Sequence, residues 1–204
     1  MANDAAQAPP PQAQPPCGIN HMVLNVRNLE VSHRFWTEVI GFRCVAELKP
    51  IPGRQRPKMR FYSGLDAQGE VTHHDLALAE IPQTNGDHAP EPWSLMPGRV
   101  GLNHVAIAWP DRESWLRQLA FLQSKGVQFL RRVNHGMTHS VYIADPDGHG
   151  IEVLYELPRD VWAGDIEGAQ NYAEMLPTEG AESLVDRTEN PVFEAPAREV
   201  ASRA

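Results

Sequence analysis

Cysteine is scarce in this chain: Cys17 and Cys44 are the two among 204 residues. Two thiols with no CxxC spacing outline neither a disulfide framework nor a zinc or redox motif, and each reads as a small apolar residue. Positive charge is also short, with 18 Lys and Arg against 26 Asp and Glu and a formal charge of −8. Binding to a phosphate backbone depends on clustered basic residues, so nucleic acid is not an expected partner. No run approaches the roughly 18 apolar residues of a membrane span, and residues 1–17 carry neither the basic patch nor the apolar stretch of a secretion signal. No membrane partner is expected, and a cytoplasmic location is. What remains, 42% hydrophobic and 22% charged residues, is the composition of an ordinary soluble domain.

Residues 1–17 are almost entirely Ala, Pro, Gln and Asn, too poor in large apolar groups to offset the entropy of ordering them. They read as a disordered tail. Beyond them lies an internal repeat. Gly18-Ile19-Asn20-His21-Met22-Val23-Leu24-Asn25-Val26 returns 83 residues later as Gly101-Leu102-Asn103-His104-Val105-Ala106-Ile107-Ala108-Trp109. A repeat of this length marks a structural unit used twice. Each copy leads into an amphipathic helical stretch, Leu29 to Ile40 and then Asp111 to Lys125, with Asn28 and Asp111 placed to cap the starts and Gly41 and Gly126 to end them. Strand-like runs follow: Phe42–Lys49, Lys58–Tyr62 and Val71–Ala79 in the first unit, Val127–Arg132, Met137–Ile143 and Gly150–Glu156 in the second.

The pattern is βαβββ twice, over 18–80 and 101–157, with a Pro-rich linker at 81–100. The expected fold is α+β: two modules forming a mixed, curved sheet around one site, helices outside. Residues 158–204 form a C-terminal extension in which Asp160 to Met175 can be helical and the remainder frays.

Side chains alternate across a strand, so His21, Val23 and Asn25 share one face, and His104, Ala106 and Ala108 share the matching face of the second copy. Glu152, between Ile151 and Val153, points opposite to both neighbours. A buried carboxylate with no partner is strongly unfavourable. Taken singly, a strand histidine or glutamate is ordinarily structural or exposed. Two histidines at matched repeat positions, with a carboxylate in the last strand, instead form a donor set for one mononuclear metal, and two His plus one carboxylate leave positions open for substrate and oxygen.

At these residues the sequence resembles the vicinal oxygen chelate superfamily, and within it the type I extradiol ring-cleavage dioxygenases in a short form with one module pair. The most specific segment runs from Asn134 to Glu152, where Tyr142 stands ten residues before the glutamate. The resemblance implies Fe(II), with Mn(II) as alternative, held by His21, His104 and Glu152. It further implies a catechol-type diol and O2 as partners, a role in aromatic hydrocarbon catabolism, and a homo-oligomer. By the same resemblance Tyr142 hydrogen-bonds substrate and His74, in His74-Asp75-Leu76-Ala77-Leu78, is the acid/base. His135 is a further candidate, seven residues before Tyr142 where longer relatives space theirs more widely. Longer relatives duplicate the module pair, and this chain corresponds to the catalytic half.

His73 and His74 are adjacent and so expected on opposite faces, with one of them reaching the pocket. His139 is expected to face away from Tyr142, and His33, His88 and His149 to lie at the surface. Glyoxalase-type isomerases, thioester epimerases and antibiotic-modifying thiol transferases share the fold, and a metal-free binding module is a further alternative. The isomerases usually draw a fourth ligand, Glu or Gln, from the last strand of module one, yet His74 to Ala79 offers only Asp75.

Overall fold

The computed structural model describes residues 16, 18–53, 55–82, 90–96, 98 and 100–187. Cys17, His88, most of residues 1–17 and everything beyond 187 lie outside the described residues. Module one contains β1 (Met22–Val26), α1 (Leu29–Arg34), β2 (Arg43–Glu47), β3 (Met59–Ser63) and β4 (Leu76–Glu80). Module two contains β5 (His104–Trp109), α2 (Arg112–Ser124), β6 (Arg131–Asn134), β7 (Thr138–Ala144) and β8 (Gly150–Glu156), followed by α3 (Arg159–Trp162), α4 (Ile166–Asn171), β9 (Glu174–Met175) and a 3-10 turn at Ala181–Leu184.

The helix ends follow local chemistry. Asn28 accepts from the N–H groups of Glu30 and Val31, and Asp111 accepts from that of Ser114. Gly41 (φ 97°) and Gly126 (φ 74°) take the left-handed conformation that follows a helix. The first helix departs from expectation midway: from Phe35 to Ile40 it widens into a π-helix, and the Trp36 carbonyl accepts from both Gly41 and Phe42. The widened turn keeps Leu29, Ser32, Trp36 and Ile40 on the buried side.

The strands form two mixed sheets rather than one, in the orders β1-β4-β3-β2 and β5-β8-β7-β6-β9. The pairs β1–β4 and β5–β8 are parallel, and every other pairing is antiparallel. Both modules share one apolar core, in which Leu24, Val26, Trp36, Leu76 and Leu78 meet Trp115, Leu119, Val141, Ile151 and Val153. Polar contacts lock them together. Arg27 and Ser32 of module one bind Asp147 in the β7–β8 turn, at 2.7 and 2.9 Å, and Gln118 donates to the Val39 carbonyl. Val105, Ile107 and Trp109 turn toward that core, while Ala106 and Ala108 on the other face of β5 are exposed.

Beyond β8 the single helix expected from Asp160 to Met175 breaks into two. Asp165 spends its side chain capping α4, and the segment then turns to add β9 beside β6. No helix among the described residues is long and apolar enough to cross a membrane.

Candidate functional site

A cleft of about 690 Å³ lies between the repeat strands, lined by Ile19–Met22, Leu102 and His104–Ala108 among others, so His21 and His104 open onto the same space. Both histidines are prepared in the same way. The Asn before each places its side-chain oxygen 2.8 Å from the imidazole Nδ1, Asn20 for His21 and Asn103 for His104. An acceptor on Nδ1 puts the proton there and leaves Nε2 with its lone pair, the form that binds a metal. The repeated Asn-His pair was visible in the sequence, but that the asparagine orients the histidine was not inferred from it.

In module two, Nε2 of His104 lies 3.0 Å from Oε2 of Glu152. Glu152 is 7% exposed, and its other oxygen accepts from the Tyr142 hydroxyl at 2.9 Å. Strand register explains the meeting, since Tyr142, Glu152 and Ala106 stand side by side on β7, β8 and β5. The Tyr142 hydroxyl has a second partner in reach, Nε2 of His135 at 3.1 Å, which donates or accepts according to its tautomer. Burial pushes the Tyr142 pKa up, helped by the Glu152 charge, so the phenol stays protonated. Burial is also the main cause of a lowered His135 pKa, which keeps that imidazole neutral near pH 7.

Trp93 of the linker closes one end of this group. Its indole stacks on the Tyr142 ring at 5.4 Å with a 10° tilt and donates to the Asn103 carbonyl at 2.7 Å. Gly150 makes room for it, because a β-carbon there would overlap the indole nitrogen. No local pattern in the Pro-rich linker singles out Trp93.

In module one, His74 lies against His21 with ring centroids 4.4 Å apart, and Phe61 borders it at 5.1 Å. The expectation that His73 and His74 face opposite ways fails. Their Nδ1 atoms are 2.8 Å apart and both rings neighbour His21. The reason is local: β4 begins only at Leu76, so both lie in a bend where strand alternation does not hold. Burial first, then the neighbouring His21 and His73, lower the His74 pKa. Asp75 also borders the cleft, but its carboxylate is engaged, accepting from Ser63, Gly64 and Thr72. His33 and His149 are part-buried rather than free at the surface, paired with Tyr62 and Asp145. His139 does face away from Tyr142, buried against Asp186.

Among the described residues His21 and His104 thus open on one cleft, His21 with His74 against it and His104 with Glu152 behind it. No three His, Cys, Asp or Glu side chains among them are already gathered as a metal cage. The donors still fit a divalent ion: the Nε2 lone pair of His104 faces the nearly buried Glu152 carboxylate at 3.0 Å, and a second prepared imidazole, that of His21, opens on the same cleft. A lone pair set against a buried anion is the arrangement a cation relieves.

A profile of the Glyoxalase/Bleomycin resistance protein/Dioxygenase superfamily matches residues 18–153. This chain belongs to that superfamily. Within it, the chain is 29% identical over 170 residues to a catechol-2,3-dioxygenase of Bacillus subtilis (strain 168), covering 82% of this chain and 51% of that protein. It is 27% identical over 166 residues to a lactoylglutathione lyase of Pseudomonas putida, covering 75% and 92%. Among solved structures, a glyoxylase/bleomycin resistance protein/dioxygenase domain from Frankia sp. EAN1pec superposes with a TM-score of 0.51 at 20% identity, over 70% of this chain and 100% of that one. The chain spans about half the length of the catechol dioxygenase. The superfamily therefore includes both dioxygenases and lyases among this chain's relatives.

Proposed function

We propose that this superfamily member opens the ring of a catechol-type aromatic diol beside its hydroxyl groups, using O2 and Fe(II), or Mn(II) in its place, and giving a ring-opened semialdehyde or related product. His21, His104 and Glu152 would hold the ion, whose contribution is Lewis acidity and alignment of the reactants. A homo-oligomer is part of the same reading. The observation that carries it is the hydroxyl of Tyr142, placed between Glu152 and a neutral His135.

Each side chain then has a task of its own. With the Glu152 charge engaged, the Tyr142 hydroxyl is released to hydrogen-bond a substrate oxygen. His135 stays beside it as an acceptor for the hydroxyl proton. His74, neutral near pH 7 because its pKa is lowered, can accept a proton from the diol. Trp93, stacked on Tyr142, supplies a flat aromatic wall beside the Glu152 carboxylate.

The lyase likeness makes isomerisation the main rival. A fourth donor from β4 would favour it, yet Asp75 is tied to the β3 end and Glu80 binds the Leu29 N–H and Lys58. The three-donor reading is supported by their engagement elsewhere. The deciding experiment loads the protein anaerobically with Fe(II), adds a panel of catechols including 3-substituted and biphenyl-type diols, and follows oxygen uptake. Oxygen should fall in step with diol as a conjugated yellow aldehyde appears, and oxidation to Fe(III) should stop it until a reductant is added. No uptake with any catechol, alongside isomerisation of a hemithioacetal or thioester, would overturn this reading.

A further inference from the structure

His21 and His104 occupy matching places in the repeat, and each bonds the asparagine before it at 2.8 Å. What holds the two asparagines differs. The Asn103 backbone carbonyl accepts from the Trp93 indole at 2.7 Å, and the Asn103 side-chain amide donates to the Leu95 carbonyl at 2.8 Å. A carbonyl can only accept, so the amide nitrogen must face Leu95 and the amide oxygen is left for the His104 imidazole. Asn20 makes no second side-chain hydrogen bond among the described residues, and both it and His21 are exposed.

The linker that supplies these partners is itself seated on module two. Trp93 stacks on the Tyr142 ring, and two glycines let the segment come close: a β-carbon on Gly148 would stand 2.8 Å from the Glu91 carbonyl oxygen, and one on Gly150 would strike the indole. Just beyond, the Met96 N–H donates to the Ser94 hydroxyl at 3.2 Å, around the bend that carries Leu95. His104 is thereby bounded on three sides, by Asn103 at Nδ1, by Glu152 at 3.0 Å from Nε2, and by the Tyr142 ring set edge-on at 5.4 Å. His21 has only Asn20 and the neighbouring rings of His73 and His74 among these kinds of contact.

We infer that the linker presets one half of the metal site. Trp93 pins the segment, the Leu95 carbonyl orients the Asn103 amide, and the amide oxygen fixes the His104 ring with its proton on Nδ1 and its Nε2 lone pair toward Glu152 before any ion arrives. His21 is the ligand that adjusts, because an exposed hydrogen bond exchanges with water and contributes little net. Trp93, Leu95 and Asn103 are positioning residues that act through His104. The effect on metal affinity rests on the reading of His104 as a ligand given above, whereas the restraint on its imidazole does not.

The test compares matched full-length variants. Asn103→Leu and Asn20→Leu each replace the amide by an apolar group of similar size, with circular dichroism checking that they fold. Mn(II) is the probe, titrated while the free ion is followed by electron paramagnetic resonance. Asn103→Leu should weaken Mn(II) binding about 10- to 100-fold, the range for partners that orient a ligand, and Asn20→Leu less than about 5-fold. Trp93→Phe removes the indole N–H but keeps an aromatic ring, and should cost about 3- to 10-fold, the worth of one hydrogen bond. On the Asn103→Leu background it should cost less than about 2-fold further, because residues acting through one another are not additive. In the metal-free parent, side-chain 15N NMR should find the His104 Nδ1–H protected from exchange with water and that of His21 unprotected, and Trp93→Phe should weaken the protection. Equal losses from the two asparagine variants, the full Trp93→Phe loss recurring without Asn103, or a His104 Nδ1–H no better protected than that of His21 overturns the proposal. If Asn103→Leu does not fold or the parent binds no Mn(II), the exchange comparison still decides the restraint, and the second outcome alone removes the metal reading.

Discussion

Tyr142 and Glu152 face one another on β7 and β8, and the hydroxyl of the first donates to Oε1 of the second at 2.9 Å. The bond links the residue read as a substrate contact to the one read as a metal ligand, so removing the hydroxyl separates the two roles. Tyr142→Phe should keep its metal, since both Glu152 oxygens and His104 remain, and lose turnover by about 10- to 100-fold, as for other groups that orient a ligand. Metal analysis beside steady-state kinetics checks it. Loss of the metal together with the activity would make Tyr142 a support for Glu152 instead.

His21 stands in the other half of the cleft from Glu152, and metal loading is expected to draw the halves together. His21→Ala, His104→Ala and Glu152→Ala should each lose bound metal, read by elemental analysis after dialysis. In the parent chain, amide hydrogen exchange in β1 and β5 should slow on adding metal, and Glu152→Ala should show no such change. Full metal occupancy in a folded His21→Ala protein would remove that residue from the ligand set.

His74 is neutral near pH 7 and lies beside His21. His74→Ala should retain metal and lose turnover by roughly 100- to 10,000-fold, the usual range for a positioned acid or base. His73→Ala, which removes the outer ring of the cluster, should cost far less. Equal losses from the two changes would show that the cluster acts as packing.

Trp93 fills the space that Gly150 leaves open. Gly150→Ala should therefore cost about 1–3 kcal/mol of stability through overpacking. The penalty should largely vanish in the Gly150→Ala, Trp93→Ala double variant, where the added methyl has nothing to strike. Urea denaturation of the four proteins measures the coupling. Additive losses would mean that the indole does not depend on that glycine.

Asp186 carries a pH signature. Burial alone would raise its carboxyl, but hydrogen bonds from His139 and Tyr155 and the positive Arg112 hold it well below the usual carboxylate range. A depressed folded-state pKa contributes stability that is fully present above the unfolded value, about 3.9, and is lost as pH falls through the folded one. Removing one member of a buried pair costs about 3–5 kcal/mol. The parent chain should exceed Asp186→Asn by about that much near neutral pH, with the gap narrowing below about pH 4. A gap of the same size at both pH values would show that the ionised form contributes nothing.

Much of this protein is legible because its signals are local. The repeated strands around His21 and His104, the caps at Asn28 and Asp111, the glycines that end the helices, and the direction of Glu152 all follow from backbone geometry within a few residues. Where that geometry stops, so does the sequence reading: His73 and His74 lie in a bend before β4, the helix widens at Phe35, and Asp165 breaks the C-terminal helix to cap α4. The remaining decisions belong to tertiary structure. Trp93 meets Tyr142 only because the linker folds back over Gly150, and Asp186 reaches His139 across 47 residues of chain. Such contacts form when separate elements dock, and the loop closure that brings them together leaves no periodic trace in the residues it joins. The sequence by itself therefore determined the donor types and the strands that carry them, while docking of the linker and of the segment after β8 decided which side chains surround them.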